Sequence, residues 1–152
     1  MTINIAKTDG EIAACFPVMR ELRPHLRAEA FIHVVRDLER DGYRLAALSE
    51  SGRVMAVAGF RILRALTCDK FLYVDDLVTL EAERSKGYGR AFLNWLEEYA
   101  RQVECAQLHL DSGMQRTDAH RFYQTNGVNI SGYHFRIVLD ARQAWQSGGV
   151  GG

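Results

Sequence analysis

Arg84-Ser85-Lys86-Gly87-Tyr88-Gly89-Arg90 lies between the longest strand candidate of this chain, Lys70–Leu80, and its clearest helix, Gly89–Val103. Two glycines one residue apart let the backbone approach a ligand closely. The start of a helix adds N–H groups that lack an intrahelical acceptor, at the positive end of the helix dipole. Arg84, Lys86 and Arg90 contribute three positive charges with no acid among them. The segment therefore reads as an anion site, suited to a pyrophosphate; a solvated basic turn with glycines for its geometry is the plainer alternative. It is not a Walker loop, because Arg90 follows the last glycine where Lys-Ser/Thr is required. It is not a Rossmann fingerprint either, since Phe92 stands where the third glycine is needed.

The helix after the loop carries Tyr88, Ala91, Phe92, Trp95, Leu96 and Tyr99 at helical spacing, which makes one apolar face. Upstream, Tyr43–Ser49 and Val54–Leu63 are strand-like and flank the turn signal Glu50-Ser51-Gly52-Arg53. Ile3–Lys7 alternates as a short strand. Asp9 opens an amphipathic helix with Ile12, Cys15, Phe16 and Met19 on one face, ending near Pro24. A second helix is predicted from Ala28 to Arg40, stopped by Asp41-Gly42. Downstream, Gln107–Asp111 is a strand, and Thr117–Asn126 is a helix with Thr117 as N-cap and Gly127 beyond its end. Tyr133–Leu139 is expected to close the domain as a strand. The order β-α-α-β-β-β-α-β-α-β mixes hairpins with one strand–helix–strand crossover, which predicts an α+β fold with a mixed sheet. A single domain over residues 1–146 and a flexible Gly-rich tail over 147–152 are expected.

The whole chain is ordinary in composition. Its 152 residues, 47% hydrophobic and 25% charged, are those of a globular domain, which excludes a disordered chain. The 19 basic residues balance 19 acidic ones, which argues against a nucleic-acid-coating surface but not against a local anion site. Cys15, Cys68 and Cys105 form no Cys-x-x-Cys pair and read as small packing residues in a reducing compartment. Met1–Lys7 lacks the basic start and apolar run of a signal peptide, and no uncharged apolar run reaches membrane-spanning length. A cytoplasmic protein without a membrane partner is expected. No histidine pair has metal-ligand spacing, so no metal site is expected; His109, on a strand, could reach a cleft but reads more simply as structural.

Arg-x-x-Gly-x-Gly, present as Arg84-Ser85-Lys86-Gly87-Tyr88-Gly89 after the strand Tyr73-Val74-Asp75-Asp76-Leu77-Val78-Thr79, resembles the acetyl-CoA signature of the GNAT N-acetyltransferases. Ala119-His120-Arg121-Phe122-Tyr123-Gln124-Thr125-Asn126-Gly127 is similar to that family's Ala-x-x-Phe-Tyr-x-x-x-Gly segment. The two matches fall in the family's order, and the predicted elements agree over most of residues 3–140. The resemblance implies a mostly antiparallel GNAT-like sheet flanked by helices. It implies acetyl-CoA as co-substrate, its pantetheine arm bonded by the backbone of Leu77, Val78 and Thr79. The amides of Ser85 through Arg90, with the Arg84 and Lys86 charges, would hold the CoA pyrophosphate. Many members have Val, Pro, Asn and Phe where Thr79, Glu81, Arg116 and Val128 stand here. None of these departures touches the phosphate loop.

Acyl transfer to an amine needs a neutral nucleophile, a stabilised oxyanion and a proton for the leaving thiolate. By resemblance, Tyr123 would protonate the thiolate, and the Val78 amide would face the oxyanion where the family's sheet opens at a bulge. Asp75 is the expected base, acting directly or through water, and Asp76 would orient a substrate cation or cap a neighbouring element. Successive strand residues face opposite sides, so only one of these acids is expected at the acyl centre. An ordinary aspartate, near ~3.9, is too acidic for this task unless burial or a like charge raises it. The expected activity is N-acetyl transfer to a primary amine of a small molecule or peptide. The adjacent acids point toward a cationic acceptor such as a polyamine, and a homodimer is implied by resemblance. A non-catalytic acyl-CoA-binding sensor is the alternative.

Overall fold

A computed structural model describes residues 1–140 and 142. They fall into two compact units, one of Met1–Leu110 and one that begins at Asp111. The first contains β1 (Thr2–Ile5), α1 (Asp9–Leu22), α2 (Ala28–Arg40), β2 (Arg44–Glu50), β3 (Arg53–Ala65), β4 (Asp69–Thr79), α3 (Tyr88–Gln102) and β5 (Gln107–Leu110). The second contains α4 (Thr117–Thr125).

Local chemistry sets the boundaries. Thr8 caps α1 with a reciprocal box: its side chain accepts from the Glu11 amide, and the Glu11 carboxylate accepts from the Thr8 amide at 2.9 Å. Ser51 and Gly52, both with positive φ, make the two-residue β2–β3 hairpin. The sheet runs β1-β2-β3-β4-β5, antiparallel except for the parallel β4–β5 pair. This is the mixed, mostly antiparallel α+β sheet expected.

Side-chain alternation gives the sheet an apolar layer on each face. Ile12, Cys15, Val18 and Phe31 of α1 and α2 pack with Leu45, Val57 and Val78. Phe92 and Leu96 of α3 pack with Leu48, Ala58, Phe60 and Leu72 on the other face. Met55 through Phe60 of the central β3 are therefore buried without interruption. Burial also pushes the Cys15 thiol up to about 12, so it remains a neutral packing group.

Two expectations in the second unit are corrected. The N-cap of α4 is Arg116, with no side-chain cap bond, rather than Thr117; Gly127 does follow the helix, at φ 83°. Tyr133–Leu139 is not a strand, and Tyr133, Phe135, Ile137 and Leu139 are exposed. An alternating apolar pattern needs a hydrogen-bonded neighbour to become a strand, and this unit has no other strand among the described residues. Trp145 and the Gly-rich tail lie outside the described residues.

Candidate active site

The loop leading into α3 has the backbone an anion site requires. Gly87, the N-cap of α3, is left-handed with φ 86°, and Ser85 also has a positive φ of 65°. The first amides of α3 lack intrahelical acceptors and sit at its positive end. Arg84 and Arg90 are exposed and have no side-chain partner among the described residues. Lys86 differs: its ammonium donates to Glu83 Oε2 at 2.6 Å, so only two of the three expected charges are unpaired. Tyr88 turns inward, and its hydroxyl donates to Glu50. Its side chain therefore anchors the loop to the end of β2, and its backbone alone is available to a ligand.

Before this loop the sheet opens. β5 pairs with β4 only over Phe71–Val74, so the edge of β4 from Asp75 to Thr79 has no ladder partner among the described residues. Leu80, just past β4, donates its amide to the Met55 carbonyl at 2.9 Å. The same register sets Thr79 opposite Ala56 and Val78 opposite Val57. Hydrogen bonding alternates along an antiparallel pair, so Val78 directs its amide and carbonyl at β3. Leu77 and Thr79 direct theirs at the open edge. The outward donor is therefore offered by Leu77 or Thr79 and not by Val78.

The bulge lies further upstream than expected. Gly59 stands opposite Asp76 and Phe60 opposite Val74, which makes Asp75 an extra residue in β4. A bulge breaks the strict alternation of side chains, and the two adjacent acids consequently join one cluster. Asp75 Oδ2 accepts from Arg61 Nε at 2.9 Å. Asp76 accepts from Arg23 Nε at 2.9 Å through Oδ1 and from the Tyr43 hydroxyl at 2.8 Å through Oδ2. Arg23 also donates Nη2 to the Asp75 carbonyl at 3.1 Å, and the Arg61 guanidinium lies 5.6 Å from the centre of the Tyr43 ring. The expectation that only one acid could face the site rested on an unbroken strand, and the bulge removes it.

Charge and burial differentiate these groups. Burial raises the Asp75 carboxyl above the usual aspartate value, opposed by the hydrogen bond and charge of Arg61 and assisted by Asp76. Burial also lifts the Tyr43 hydroxyl well above its ordinary value, with the Asp76 charge adding to it, so Tyr43 is a permanent donor.

Beside the cluster is a cleft of about 250 Å³ between α1, α2 and the sheet. Met19, Leu26, Phe31, Val34 and Leu38 make its apolar wall; Arg23, His25, Tyr43 and Asp76 supply its polar groups. Arg23, Tyr43, Arg61 and Gly59 are absent from the sequence-based site. The sequence does show two neighbouring acids in need of counterions, but not which of its 19 basic residues would supply them.

Tyr123 lies in the second unit, on α4, with its ring 5.4 Å from that of Phe122. Burial raises its hydroxyl above the ordinary tyrosine value, with the Arg116 charge opposing. His109 stacks on Phe71 at 4.4 Å, and its Nε2 is 2.7 Å from Gln107 Oε1, a structural arrangement. No group of three or more His, Cys, Asp or Glu side chains arranged to hold a metal ion occurs among the described residues, and none of their helices is long and apolar enough to cross a membrane.

Residues 4–128 match the acetyltransferase (GNAT) family. The chain is 36% identical to the uncharacterized N-acetyltransferase YhdJ of Bacillus subtilis over 128 residues, 83% of this chain and 90% of that protein. It is 37% identical over 66 residues, 43% of each chain, to an aminoalkylphosphonate N-acetyltransferase of Salmonella typhimurium. Among solved structures, an aminoglycoside N-acetyltransferase in complex with CoA superposes with a TM-score of 0.77 at 13% identity, over 90% of this chain and 94% of that one. This last likeness is one of fold.

Proposed function

Because this chain belongs to the acetyltransferase (GNAT) family and is an N-acetyltransferase, we propose that it moves the acetyl group of acetyl-CoA directly to the primary amine of a small molecule. The observation that carries this reading is the opened edge of β4, with the Leu77 and Thr79 amides facing outward, followed by the left-handed Gly87 and the free amides of α3. The first feature suits an amide-containing arm laid down as an added strand; the second suits a pyrophosphate. The small-molecule acceptor is supported by the size of the cleft and by the partial relative that acts on aminoalkylphosphonates.

The roles follow from the chemistry of each group. The Leu77 amide faces the carbonyl oxygen that gains charge as the amine attacks. Asp75, raised by burial and bonded by Arg61 through one oxygen, takes the proton of the attacking amine directly or through water. Asp76, with both oxygens engaged, orients the acceptor. Tyr123 holds the proton destined for the leaving sulfur. Ser85 through Arg90 hold the pyrophosphate, with Arg84 and Arg90 as the unpaired charges. Three free thiols fit a reducing cytoplasm; light scattering on the purified protein tests the homodimer.

Calorimetric titration with acetyl-CoA, followed by a thiol-release assay over an amine panel, tests this function. Binding with turnover is expected, and binding without turnover on a broad panel would favour a sensor. Gly87→Val forces a β-branched residue to φ 86° at the N-cap, a strain of about 1–2 kcal/mol that the loop relieves by moving. It should weaken acetyl-CoA binding by roughly tenfold or more; an unchanged affinity would exclude the loop. The acidic limb of kcat/KM should lie above the ordinary aspartate value and vanish in Asp75→Asn. The sign follows from a base that works only when ionised, with its ionisation moved to higher pH by burial.

A further inference from the structure

The cleft beside Asp76 carries a charge pattern that the adjacent acids alone do not suggest. Asp76 is neutralised inside the protein, by Arg23 on one oxygen and by the Tyr43 hydroxyl on the other, and Asp75 is paired with Arg61. The acids therefore present no net negative field to an incoming ligand. Arg23 is the more accessible partner, its side chain 31% exposed against 13% for Asp76. A guanidinium has five N–H groups. Arg23 uses one on Asp76 and one on the Asp75 carbonyl, and its others meet no acceptor among the described residues. His25, exposed on the turn that follows Arg23, adds an imidazole at the same mouth. The other groups lining the cleft are Tyr43 and hydrocarbon.

Size narrows the ligand further. The cleft, about 250 Å³ and walled by Met19, Leu26, Phe31, Val34 and Leu38, is open on one side. It has room for a short amine with one charged substituent.

Resting on the acetyltransferase reading above, we infer that the acceptor is a small amine that also carries an anion, a carboxylate or a phosphonate, held by the unengaged N–H groups of Arg23. The anion forms charge-assisted bonds to the guanidinium fork. The ammonium lies next to Asp76, whose carboxylate is fixed within hydrogen-bond distance of the same guanidinium. An acceptor whose amine and anion are only a few bonds apart matches this adjacent Arg–Asp pair. Its carbon frame rests on Leu26, Phe31 and Val34. A polycation is disfavoured, because Arg23 repels its second charge.

The test uses the intact protein with saturating acetyl-CoA, read as thiol release, on matched acceptors. Leucine is compared with isopentylamine, aminoethylphosphonate with ethylamine, and putrescine serves as the dication. The anion-bearing member of at least one pair should have a kcat/KM roughly 10- to 150-fold above its partner, the range of a hydrogen bond to a charged group. Whichever pair shows the advantage identifies the anion. Arg23→Gln should bring that ratio near one by slowing the anionic acceptor. Arg23→Lys keeps the charge without the fork and should retain part of the preference. Should neither variant fold, the wild-type ratio decides alone. A ratio at or below one, fastest turnover with putrescine, or turnover of peptide amines only would overturn the proposal and leave the acetyltransferase reading intact. Failure of acetyl-CoA to bind would instead sink that reading, and this proposal with it.

Discussion

Tyr123→Phe should lower kcat by about 10²- to 10⁴-fold, the usual contribution of a positioned acid, with acetyl-CoA affinity changed by no more than about twofold. The substitution removes one oxygen and keeps the ring, so the contact with Phe122 at 5.4 Å survives and the fold should too. A tyrosine near ~10 is a weak acid for a thiolate whose own value is about 8.5, and burial makes Tyr123 weaker still. Early, complete proton transfer is therefore uphill. The hydroxyl must act by donating a hydrogen bond as charge collects on sulfur, and by completing the transfer as that bond breaks. Its elevated value keeps it protonated throughout the neutral range, so the alkaline side of kcat should show no loss from this group below pH ~10. Pre-steady-state thiol release would measure both effects. Full activity in Tyr123→Phe would remove the residue from the mechanism.

Gly59→Ala should destabilise the first unit strongly for a change of a single methyl group. A Cβ at Gly59 would lie 1.8 Å from the Tyr43 hydroxyl oxygen and 2.3 Å from the ring carbon that bears it. Tyr43 cannot retreat, because it is 3% exposed and packed in the α1–α2 core. It can yield only by giving up its 2.8 Å bond to Asp76 and its place beneath Arg61. Overpacking costs about 1–3 kcal/mol, and a carboxylate deprived of a buried donor adds about as much again. The melting temperature should fall by roughly 2–12 °C for the first contribution alone at this chain length. Because Asp76 borders the acceptor cleft, KM for the amine should rise while acetyl-CoA affinity stays near that of the wild type. Shortening Tyr43 in the same molecule should relieve part of the clash, so the double variant should be less destabilised than the two losses added. An unchanged melting curve for Gly59→Ala would exclude the packing of the Tyr43 ring against Gly59.

Much of this architecture is legible locally. Helix α2 spans Ala28–Arg40 as its periodicity predicts, and the hairpin falls within Glu50–Arg53 because Ser51-Gly52 can adopt positive φ. The loop before α3 is legible for the same reason, since glycine spacing and helix start are properties of neighbouring residues. Tyr133–Leu139 shows the limit. Its alternation is real, but a strand is a relation between two segments, and pattern alone does not supply the second. The ion pair Arg23–Asp76 shows the same limit for function: 53 positions separate its members, and nothing in either neighbourhood names the other.

The sequence by itself determined the order of elements as far as α4, the two-faced sheet, the glycine turn before α3 and membership of a family of acetyltransferases, all of which depend on short-range pattern. Tertiary structure decided the electrostatics of the acceptor side. One extra residue in β4 turns two adjacent acids into one cluster, and two distant arginines neutralise them. The site that reads from sequence as attractive to cations thereby offers the open N–H groups of Arg23 to an anion. The physical reason is range: backbone propensity acts over a few residues, whereas a charge is set by whatever the fold packs within a few ångströms of it.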